Sequence, residues 1–140
     1  MGERLGHGEA AHGKAAHGKA ATERCTAQWL AAMRWRRGVE QALAAVGLTF
    51  TQWQILDAIR RLIAETEDAV NQNEIAAEVE LDRSTVSQVM RTLEQKQLVD
   101  RGPSATGLAW RVFLTRRAIR LLNEHRSKLE AVSVSSGPAL

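Results

Sequence analysis

The segment from Asp82 to Lys96 constrains the fold most, because its residues separate into two chemically opposite sides. When each residue is advanced by about 100° around a helix axis, the apolar side chains fall together. Hydrogen-bonding side chains with little acid occupy an arc of about 100° on the other side. The segment therefore predicts a helix that packs into a core and presents a polar surface. The apolar side consists of Val86, Val89, Met90 and Leu93, and the polar arc of Ser84, Ser87, Gln88, Arg91 and Gln95.

Three other helices are predicted before this segment. An apolar stripe from about Glu23 to Val46 predicts a long first helix that Gly47 ends. The sequence Thr49–Gln52 has the form of a capping box and opens the second helix. The polar, acidic segment Glu65–Val70 predicts a loop, after which an N-cap signal at Asn71 opens a short third helix. The stripe of the first helix is Ala32, Trp35, Val39, Leu43 and Val46, and that of the second is Trp53, Leu56, Ile59 and Ile63.

The hydrophobic period changes after Lys96. Leu98–Arg101 and Trp110–Leu114 are predicted strands, joined by a turn-rich Gly-Pro-Ser-Ala-Thr-Gly segment into a hairpin. Trp110, Val112 and Leu114 are expected on one face of the second strand. Thr115 then caps a last helix with its own long apolar stripe. That stripe is Ala118, Leu121, Leu122, His125, Leu129 and Val132.

Length and composition favour one folded domain: 140 residues, of which 44% are hydrophobic and 25% charged. Residues 1–23 contain the near-identical pentapeptides HGEAA, HGKAA and HGKAA and are predicted to form a flexible tail. The domain is expected over residues 24–133, and residues 134–140 as a frayed end. Five-residue spacing separates successive histidines by about 140° around a helix, so no metal site is predicted.

Charge and motifs exclude several classes of protein. A pI of about 9.6 with a net charge of +3 suggests a polyanionic partner but does not establish one. No apolar run approaches the roughly 20 residues that span a bilayer, and there is no apolar secretory signal, so we expect a cytoplasmic protein without a membrane partner. The chain lacks a phosphate-binding glycine loop, a nucleophile elbow and paired histidines at zinc spacing, so we expect neither an enzyme nor a cofactor.

The order of the predicted elements is that of a winged helix-turn-helix: a short helix, a tight turn, a polar-faced helix and a basic-edged hairpin. A glutamine can pair with adenine and an arginine with guanine in the major groove, so the polar arc suits base recognition. The hairpin would follow the backbone or enter a minor groove. We therefore predict a mainly α winged helix-turn-helix with long N- and C-terminal helices that binds double-stranded DNA.

Three runs carry a family resemblance: GLTFTQWQIL, NQNEIAAEVELDRSTVSQVMRTLEQKQLVDR and FLT. Over roughly Cys25 to Val132 the chain resembles the multiple-antibiotic-resistance-regulator (MarR) family. The resemblance implies a homodimer with interlocking terminal helices, which represses genes at a pseudo-palindromic operator and is released by a small phenolic ligand, a metal or an oxidant. Carried over by position, Ser84, Thr85, Ser87, Gln88 and Arg91 would face DNA, Arg83 would approach a phosphate, and Arg101 and Arg111 would flank the wing.

The chain departs from the family pattern at the wing and at three glycines. The family's Asp-x-Arg-Ala motif falls on Thr106–Ala109, so that Leu108 replaces the wing-tip arginine. We expect weaker binding, altered wing contacts or reliance on the polar-faced helix. Glu80, Gln97 and Ala118 stand where the family tends to have glycine, and a left-handed turn tolerates other residues at modest strain.

Cys25 lies in the register of the reactive cysteine of the family's organic-hydroperoxide sensors. Those sensors support the thiolate with tyrosine hydroxyls, whereas this chain has no tyrosine and places Trp29 and Val39 there. A small buried apolar cysteine is therefore the preferred interpretation, and a thiol-based oxidant sensor is an alternative. No internal disulfide can form with a single cysteine.

Two other features allow more than one interpretation. Trp29, Trp35, Trp53 and Trp110 are candidates for lining a pocket for a small aromatic effector, although core packing also explains Trp53. His125 is interpreted as a hydrogen-bonded core or dimer-interface residue. The rival to regulated DNA binding is a winged helix that serves protein association or binds DNA only weakly, for which Leu108 and the acidic run between residues 65 and 82 argue.

Overall fold

A computed structural model of the chain describes residues 6–66, 70–103 and 110–135, with side chains described from residue 13 onward. Three helices and an antiparallel hairpin lie between two longer helices, which confirms the predicted mainly α winged helix-turn-helix. The helices are α1 (Gly6–Ala44), α2 (Phe50–Thr66), α3 (Gln72–Val79), α4 (Arg83–Gln95) and α5 (Arg116–Ser135), and the strands are β1 (Val99–Pro103) and β2 (Trp110–Leu114).

The core lies where α2, α3 and α4 meet beneath the hairpin. Each of these helices is amphipathic, and its apolar side chains are removed from water, which stabilises the fold by about 1.5–3 kcal/mol for each large side chain. The hairpin contributes Val99 and Val112 to the same core. The three helices and the hairpin therefore form one packed lobe, here called the winged lobe. Its fully buried helix residues are Ile55, Leu56, Ile59, Ile75, Val86, Met90 and Leu93.

The terminal helices α1 and α5 pack against each other beside this lobe. They approach closely because Gly38 has no side chain: a Cβ there would lie 2.6 Å from Cγ1 of Val132. The indole Nε1–H of Trp35 donates to Oγ of Ser133 at 3.1 Å. Among the described side chains of α1, only Val39 and Leu43 are buried.

The first helix begins earlier than predicted. We expected it from about Glu23, after a separate tail over residues 1–23, but α1 already includes Gly6. Alanine, glutamate and lysine are strong helix formers, so the repeats favour a helix although each also contains a glycine. Gly13 and Gly18 have no neighbour within 4 Å of a Cβ position. Whether this stretch is flexible in solution stays a prediction. Of the expected frayed end at residues 134–140, the first two residues belong to α5, and residues 136–140 lie outside the described part.

The corner between α1 and α2 follows the predicted signals. Gly47 adopts φ +72°, and the N–H of Leu48 bonds to the carbonyl of Leu43 at 3.2 Å, as in a Schellman turn. The capping box is present: Thr49 N–H donates to Oε1 of Gln52, and Gln52 N–H donates to Oγ1 of Thr49, both at 3.1 Å. These bonds fix the direction in which α2 leaves α1.

The loop after α2 is shorter than predicted. The helix continues to Thr66, and Val70 is buried and forms an isolated antiparallel bridge with Val112, whose N–H lies 2.8 Å from the Val70 carbonyl. This bridge attaches the hairpin to the segment before α3. A single buried valine after a polar loop carries no periodic signal, so no sequence pattern predicts the bridge.

Two of the three glycine-replacing residues behave as expected. Glu80 and Gln97 have φ of +55° and +60°, in the left-handed region where the family tends to have glycine. Ala118 differs, because it lies within α5 and is fully buried. A small residue is required there by packing and not by backbone conformation.

Candidate nucleic-acid interface

The N-terminus of α4 is fixed by Asp82. Its carboxylate accepts the backbone N–H of Thr85 at 2.7 Å and the hydroxyl of Thr85 at 2.8 Å. These two bonds, the backbone one first, hold the pKa of the exposed Asp82 carboxyl below its usual value. Thr85 was predicted to face DNA, but its polar groups serve the cap and its side chain is half-buried. The hydroxyl is thus already occupied.

The two sides of α4 are arranged as predicted. Val86, Met90 and Leu93 are completely buried, and Val89 is partly buried against the same core. Because the apolar side is fixed in the core, the polar arc is held toward solvent as one surface. Ser84, Gln88, Arg91 and Gln95 are exposed on it, and Ser87 is half-buried.

Two predicted contact residues on α4 carry free positive charge. Arg83 and Arg91 are exposed, and neither has an acidic partner within the part of the chain that the structure describes. Arg83 stands in the first turn of α4, where backbone N–H groups also favour an anion. Both guanidinium groups are therefore available to phosphates or base edges.

The C-terminal end of α4 is tied to the corner between α1 and α2. The ammonium of Lys96 donates to the carbonyl of Gly47 at 2.6 Å and to Oε1 of Gln52 at 3.0 Å. Gln52 is the polar side chain that the core buries, and the same oxygen closes its capping box. Sequence reasoning missed Lys96, because no local pattern connects residues 44 and 49 positions apart. This contact sets the position of the polar face relative to α1 and α2.

Side-chain hydrogen bonds hold both ends of α3, the helix that precedes α4. Asn71 is the predicted N-cap, and with Glu74 it forms a complete capping box, in which the N–H of Glu74 donates to Oδ1 of Asn71 at 2.8 Å. Arg61 of α2 donates to Glu78 of α3 at 2.5 Å. Glu78 belongs to the acidic run that argued against DNA binding, so part of that charge is neutralised within the fold. Glu67 and Asp68 of the same run lie outside the described residues.

The hairpin gives the two predicted wing arginines different surroundings. The two strands pair from Val99↔Leu114 to Pro103↔Trp110. Arg101 contacts the carboxylate of Glu94 on α4 and therefore links the wing to that helix. Arg111 is half-buried and has no acidic partner among the described residues. Leu108 and the other residues of Thr106–Ala109 lie outside the described part, so their contacts with DNA stay a prediction.

The second strand has the predicted bounds and face, but burial along that face is uneven. Trp110, Val112 and Leu114 share one face, of which only Val112 is buried, and Trp110 is 69% exposed. The strand extends beyond the end of the core at Trp110, because alternation defines a face and not how far the core reaches.

Two of the four tryptophans line a common cavity of about 590 Å³ between α1, α2 and α5. Trp35 and Trp53 lie with ring centroids 6.1 Å apart. The charged residues of the wall are Arg60, which is paired with Asp57, Arg126 and Glu130. Trp29 is 61% exposed on α1, and Trp110 lies on the wing, so neither belongs to this cavity. Of the four tryptophans proposed to line a pocket, Trp35 and Trp53 therefore do so.

Cys25 and His125 also depart from expectation. Cys25 is exposed, so the interpretation as a small buried residue is wrong for the single chain, because the part of α1 that carries it has no packing partner. An oxidant-sensing role for Cys25 stays a prediction. His125 is half-buried, and its Nδ1 has no hydrogen-bond partner among the described residues. The part of the chain that the structure describes holds no cluster of three potential metal ligands and no helix long and apolar enough to cross a membrane.

Comparison with known proteins shows which sequences this chain is similar to. Residues 46–107, from the corner after α1 to the wing, match the model of the MarR family. The HTH-type transcriptional regulator YdcH of Bacillus subtilis (strain 168) is 37% identical over 73 residues, which are 52% of this chain and 49% of YdcH. The chain therefore aligns with about half the length of this curated relative.

Solved structures share the fold over a larger part of the chain. BpsR of Bordetella bronchiseptica, described with regulation of its DNA binding by 6-hydroxynicotinic acid, matches with a TM-score of 0.69 at 20% identity, covering 84% of this chain and 86% of BpsR. CouR of Rhodococcus jostii RHA1, bound to p-coumaroyl-CoA, matches with a TM-score of 0.62 at 24% identity, covering 71% and 67%. At these identities the likeness concerns the fold.

Proposed function

Because this chain carries a winged helix-turn-helix of the MarR family, we propose that it is a transcriptional regulator that binds a specific DNA sequence through α4. The observation that carries the proposal is the exposed polar face of α4, opposite a completely buried apolar face. Such a helix fits the major groove, where side-chain amides and guanidinium groups distinguish base pairs. Gln88 and Arg91 have the chemistry for adenine and guanine.

The remaining predicted residues fall into supporting roles. Ser84 and Ser87 lie on the same face and suit base edges or phosphates, and Arg83 suits a phosphate near the start of α4. Arg111 is the wing residue with a free guanidinium, whereas Arg101 positions the wing through Glu94. Thr85 acts through Asp82 by shaping the start of the helix.

We further propose that the regulator is a homodimer and that it represses transcription. The support for a dimer is the large apolar side chains that α1 leaves exposed, Trp29 at 61% and Leu30 at 46%, which a second copy would cover. A dimer presents two α4 helices, so its operator would be a pseudo-palindrome. Sedimentation at micromolar concentration is expected to give twice the chain mass, and a mass near 15.4 kDa would contradict the dimer.

The DNA proposal is tested by selecting bound duplexes from a randomised library. We expect one pseudo-palindromic site. On that site Arg91→Ala and Gln88→Ala should each weaken binding by about 1–3 kcal/mol and relax the preference at one base pair. Arg111→Ala should weaken all sequences alike and lower the salt dependence, because a phosphate contact carries no sequence information.

The matched control is Lys128→Ala, which removes an exposed positive charge from α5, away from α4 and the wing. It should leave the selected site and its affinity unchanged. If the wild-type protein enriches no sequence at low salt, the regulator proposal fails and the protein-association alternative takes its place. Transcription from a promoter that carries the selected site should fall when the protein is added, and a rise would contradict repression.

The effector proposal rests on the cavity between Trp35 and Trp53. Aromatic rings stack well on indoles, and Arg126, which has no acidic partner among the described residues, suits a carboxylate, so the cavity fits a small aromatic acid. BpsR and CouR are described with ligands that contain an aromatic ring. A panel of aromatic acids should quench tryptophan emission in the wild type and not in Trp53→Leu. Release of DNA by a compound that still acts on Trp53→Leu would exclude this cavity.

A further inference from the structure

Trp110 is the most exposed aromatic side chain of the described chain. Its residue is 69% accessible, although an indole is among the side chains that gain most from leaving water. Val112 and Leu114 on the same strand face are buried and half-buried, so hairpin folding does not account for the position of Trp110. An isolated exposed apolar residue needs no explanation, but this one lies beside the surface proposed to bind DNA.

The indole lies in a groove between the wing and α4. Trp110 pairs across the hairpin with Pro103, and Arg101 and Val112 form the next pair on the same face. Glu94 at the end of α4, together with Val99, Asp100, Arg101 and Trp110, lines a groove of about 550 Å³. Trp110 therefore occupies the wing side of a groove whose other wall belongs to the proposed base-reading helix.

The chemistry of this groove favours an apolar contact at its outer end. The carboxylate of Glu94 is paired with Arg101, whereas Asp100, the other acid of the lining, has no ion pair among the described residues, so the inner part of the groove does not attract a phosphate. Pro103 opposite Trp110 is exposed and has no N–H, so this pair presents mainly hydrocarbon and aromatic surface. The free polar group of the pair is the indole Nε1–H, which can donate to a phosphate oxygen.

DNA bound to α4 would pass through this groove. When a recognition helix lies in the major groove and a wing reaches the neighbouring minor groove, one phosphate backbone runs between the two elements. We propose that Trp110 contacts DNA there, with its ring against deoxyribose at the edge of the minor groove and its Nε1–H donated to a phosphate. This inference rests on the proposed function. It gives the wing an apolar contact in a chain that has Leu108 where an arginine was expected.

The test uses the full chain and the duplex that the wild-type protein selects. Trp110→Ala should bind that duplex about ten-fold more weakly, as expected for loss of an aromatic contact with nucleic acid. The dependence of its affinity on salt should keep the wild-type slope, because no charge is removed. Trp110→Phe should retain most of the affinity through its ring. Phe113→Ala removes a 42% exposed aromatic side chain from the opposite face of the same strand and should bind DNA as the wild type does.

A fluorescence measurement separates contact from a merely structural role. Bound duplex should shield one accessible indole from acrylamide in the wild type and in Trp29→Phe, and this shielding should be absent in Trp110→Phe. If Trp110→Ala binds within two-fold of the wild type, or if shielding persists in Trp110→Phe, the inference is overturned while sequence-specific binding stands. If the wild type selects no sequence and no duplex shields the indole, the inference and the proposed function both fail.

Discussion

The winged lobe and the terminal helices differ in how much of their apolar side-chain surface is buried within the chain. In the lobe, α2, α3 and α4 bury their apolar sides within the chain, and contacts such as Lys96 to Gly47 and Arg61 to Glu78 join one element to another. In contrast, α1 is 39 residues long and buries only two of its described side chains. The lobe therefore supplies most of the core, to which α1 adds Val39 and Leu43 and α5 adds Ala118 and Leu122, whereas the terminal helices also expose surface that a partner would cover.

This difference matters for the proposed function because each region carries one of the two proposed binding sites. The lobe carries the rigid polar face of α4, whose value for base recognition depends on a fixed position. The terminal helices meet the lobe at the cavity between Trp35 and Trp53, where a change in their packing would reach α2. Truncations of buried side chains in the lobe should therefore have the largest effects on stability, whereas substitutions on the exposed surface of the terminal helices should change association and ligand response.

The largest expected change in the free energy of unfolding comes from removing a core side chain of α4. Leu93→Ala should lower the free energy of unfolding by about 2–5 kcal/mol, because it removes buried methyl groups and leaves a cavity. Val134→Ala on α5 is the matched truncation at an 82% exposed position and should cost less than about 0.5 kcal/mol. Chemical denaturation at one chain concentration measures both. Equal losses would abolish the distinction between the two regions.

A smaller effect is expected from the contact that joins α4 to the corner after α1. Lys96→Met keeps the aliphatic stem but leaves the Gly47 carbonyl and Gln52 without their charged donor. We expect a loss of about 1–2 kcal/mol in the free energy of unfolding, because water can replace part of the bond at this half-exposed site. Lys128→Met, at an exposed position on α5, should be neutral. A neutral Lys96→Met would show that α4 is positioned by its apolar side alone.

Much of the lobe could be predicted because its signals are local. The capping boxes at Thr49 and Asn71, the N-cap at Asp82 and the two sides of α4 each follow from residues within one or two helical turns. The same local signals predict which face of α4 is polar, and in the structure that face is exposed. They also fix the direction of each helix at its start.

The contacts that could not be predicted join one secondary-structure element to another. Lys96 reaches Gly47, Arg101 meets Glu94 across an element boundary, and Val70 bridges to Val112. Periodicity likewise could not predict the exposure of Trp110, because alternation defines a face but not where the core ends. For Cys25 the apolar stripe indicated burial, yet the single chain supplies nothing to cover it.

The close crossing of α1 and α5 gives a third test, within the terminal helices. Gly38→Ala places a Cβ against Val132 and should lower the free energy of unfolding by about 1 kcal/mol, the net of overpacking and better helix propensity. The bond from Trp35 to Ser133 should weaken with it, which tryptophan emission reports. Gly18→Ala has open space around it and should stabilise α1 instead. If Val132→Ala does not relieve the Gly38→Ala defect, the helices are separated further than the structure shows.

The smallest expected change in stability comes from the Asp82 cap of α4, whose contribution depends on pH. Thr85 N–H and hydroxyl bonds favour the ionised form of Asp82, so the pKa of this carboxyl is lower in the folded than in the unfolded chain. The stability from this cap is therefore complete above the usual pKa of 3.8 and is lost as the pH falls through the lower folded value. Asp82→Asn keeps an acceptor for the Thr85 N–H but does not titrate.

The difference in free energy of unfolding between the wild type and Asp82→Asn isolates this carboxylate from the others that titrate in the same range. It should be constant from pH 7 to about pH 5 and then move in favour of Asp82→Asn as the pH falls further. Because the cap belongs to the lobe, the change should be independent of chain concentration. A difference that stays constant down to pH 3 would mean that Asp82 is not preferentially ionised in the folded chain. A change that scales with chain concentration would place the effect in the association of the terminal helices and not in α4.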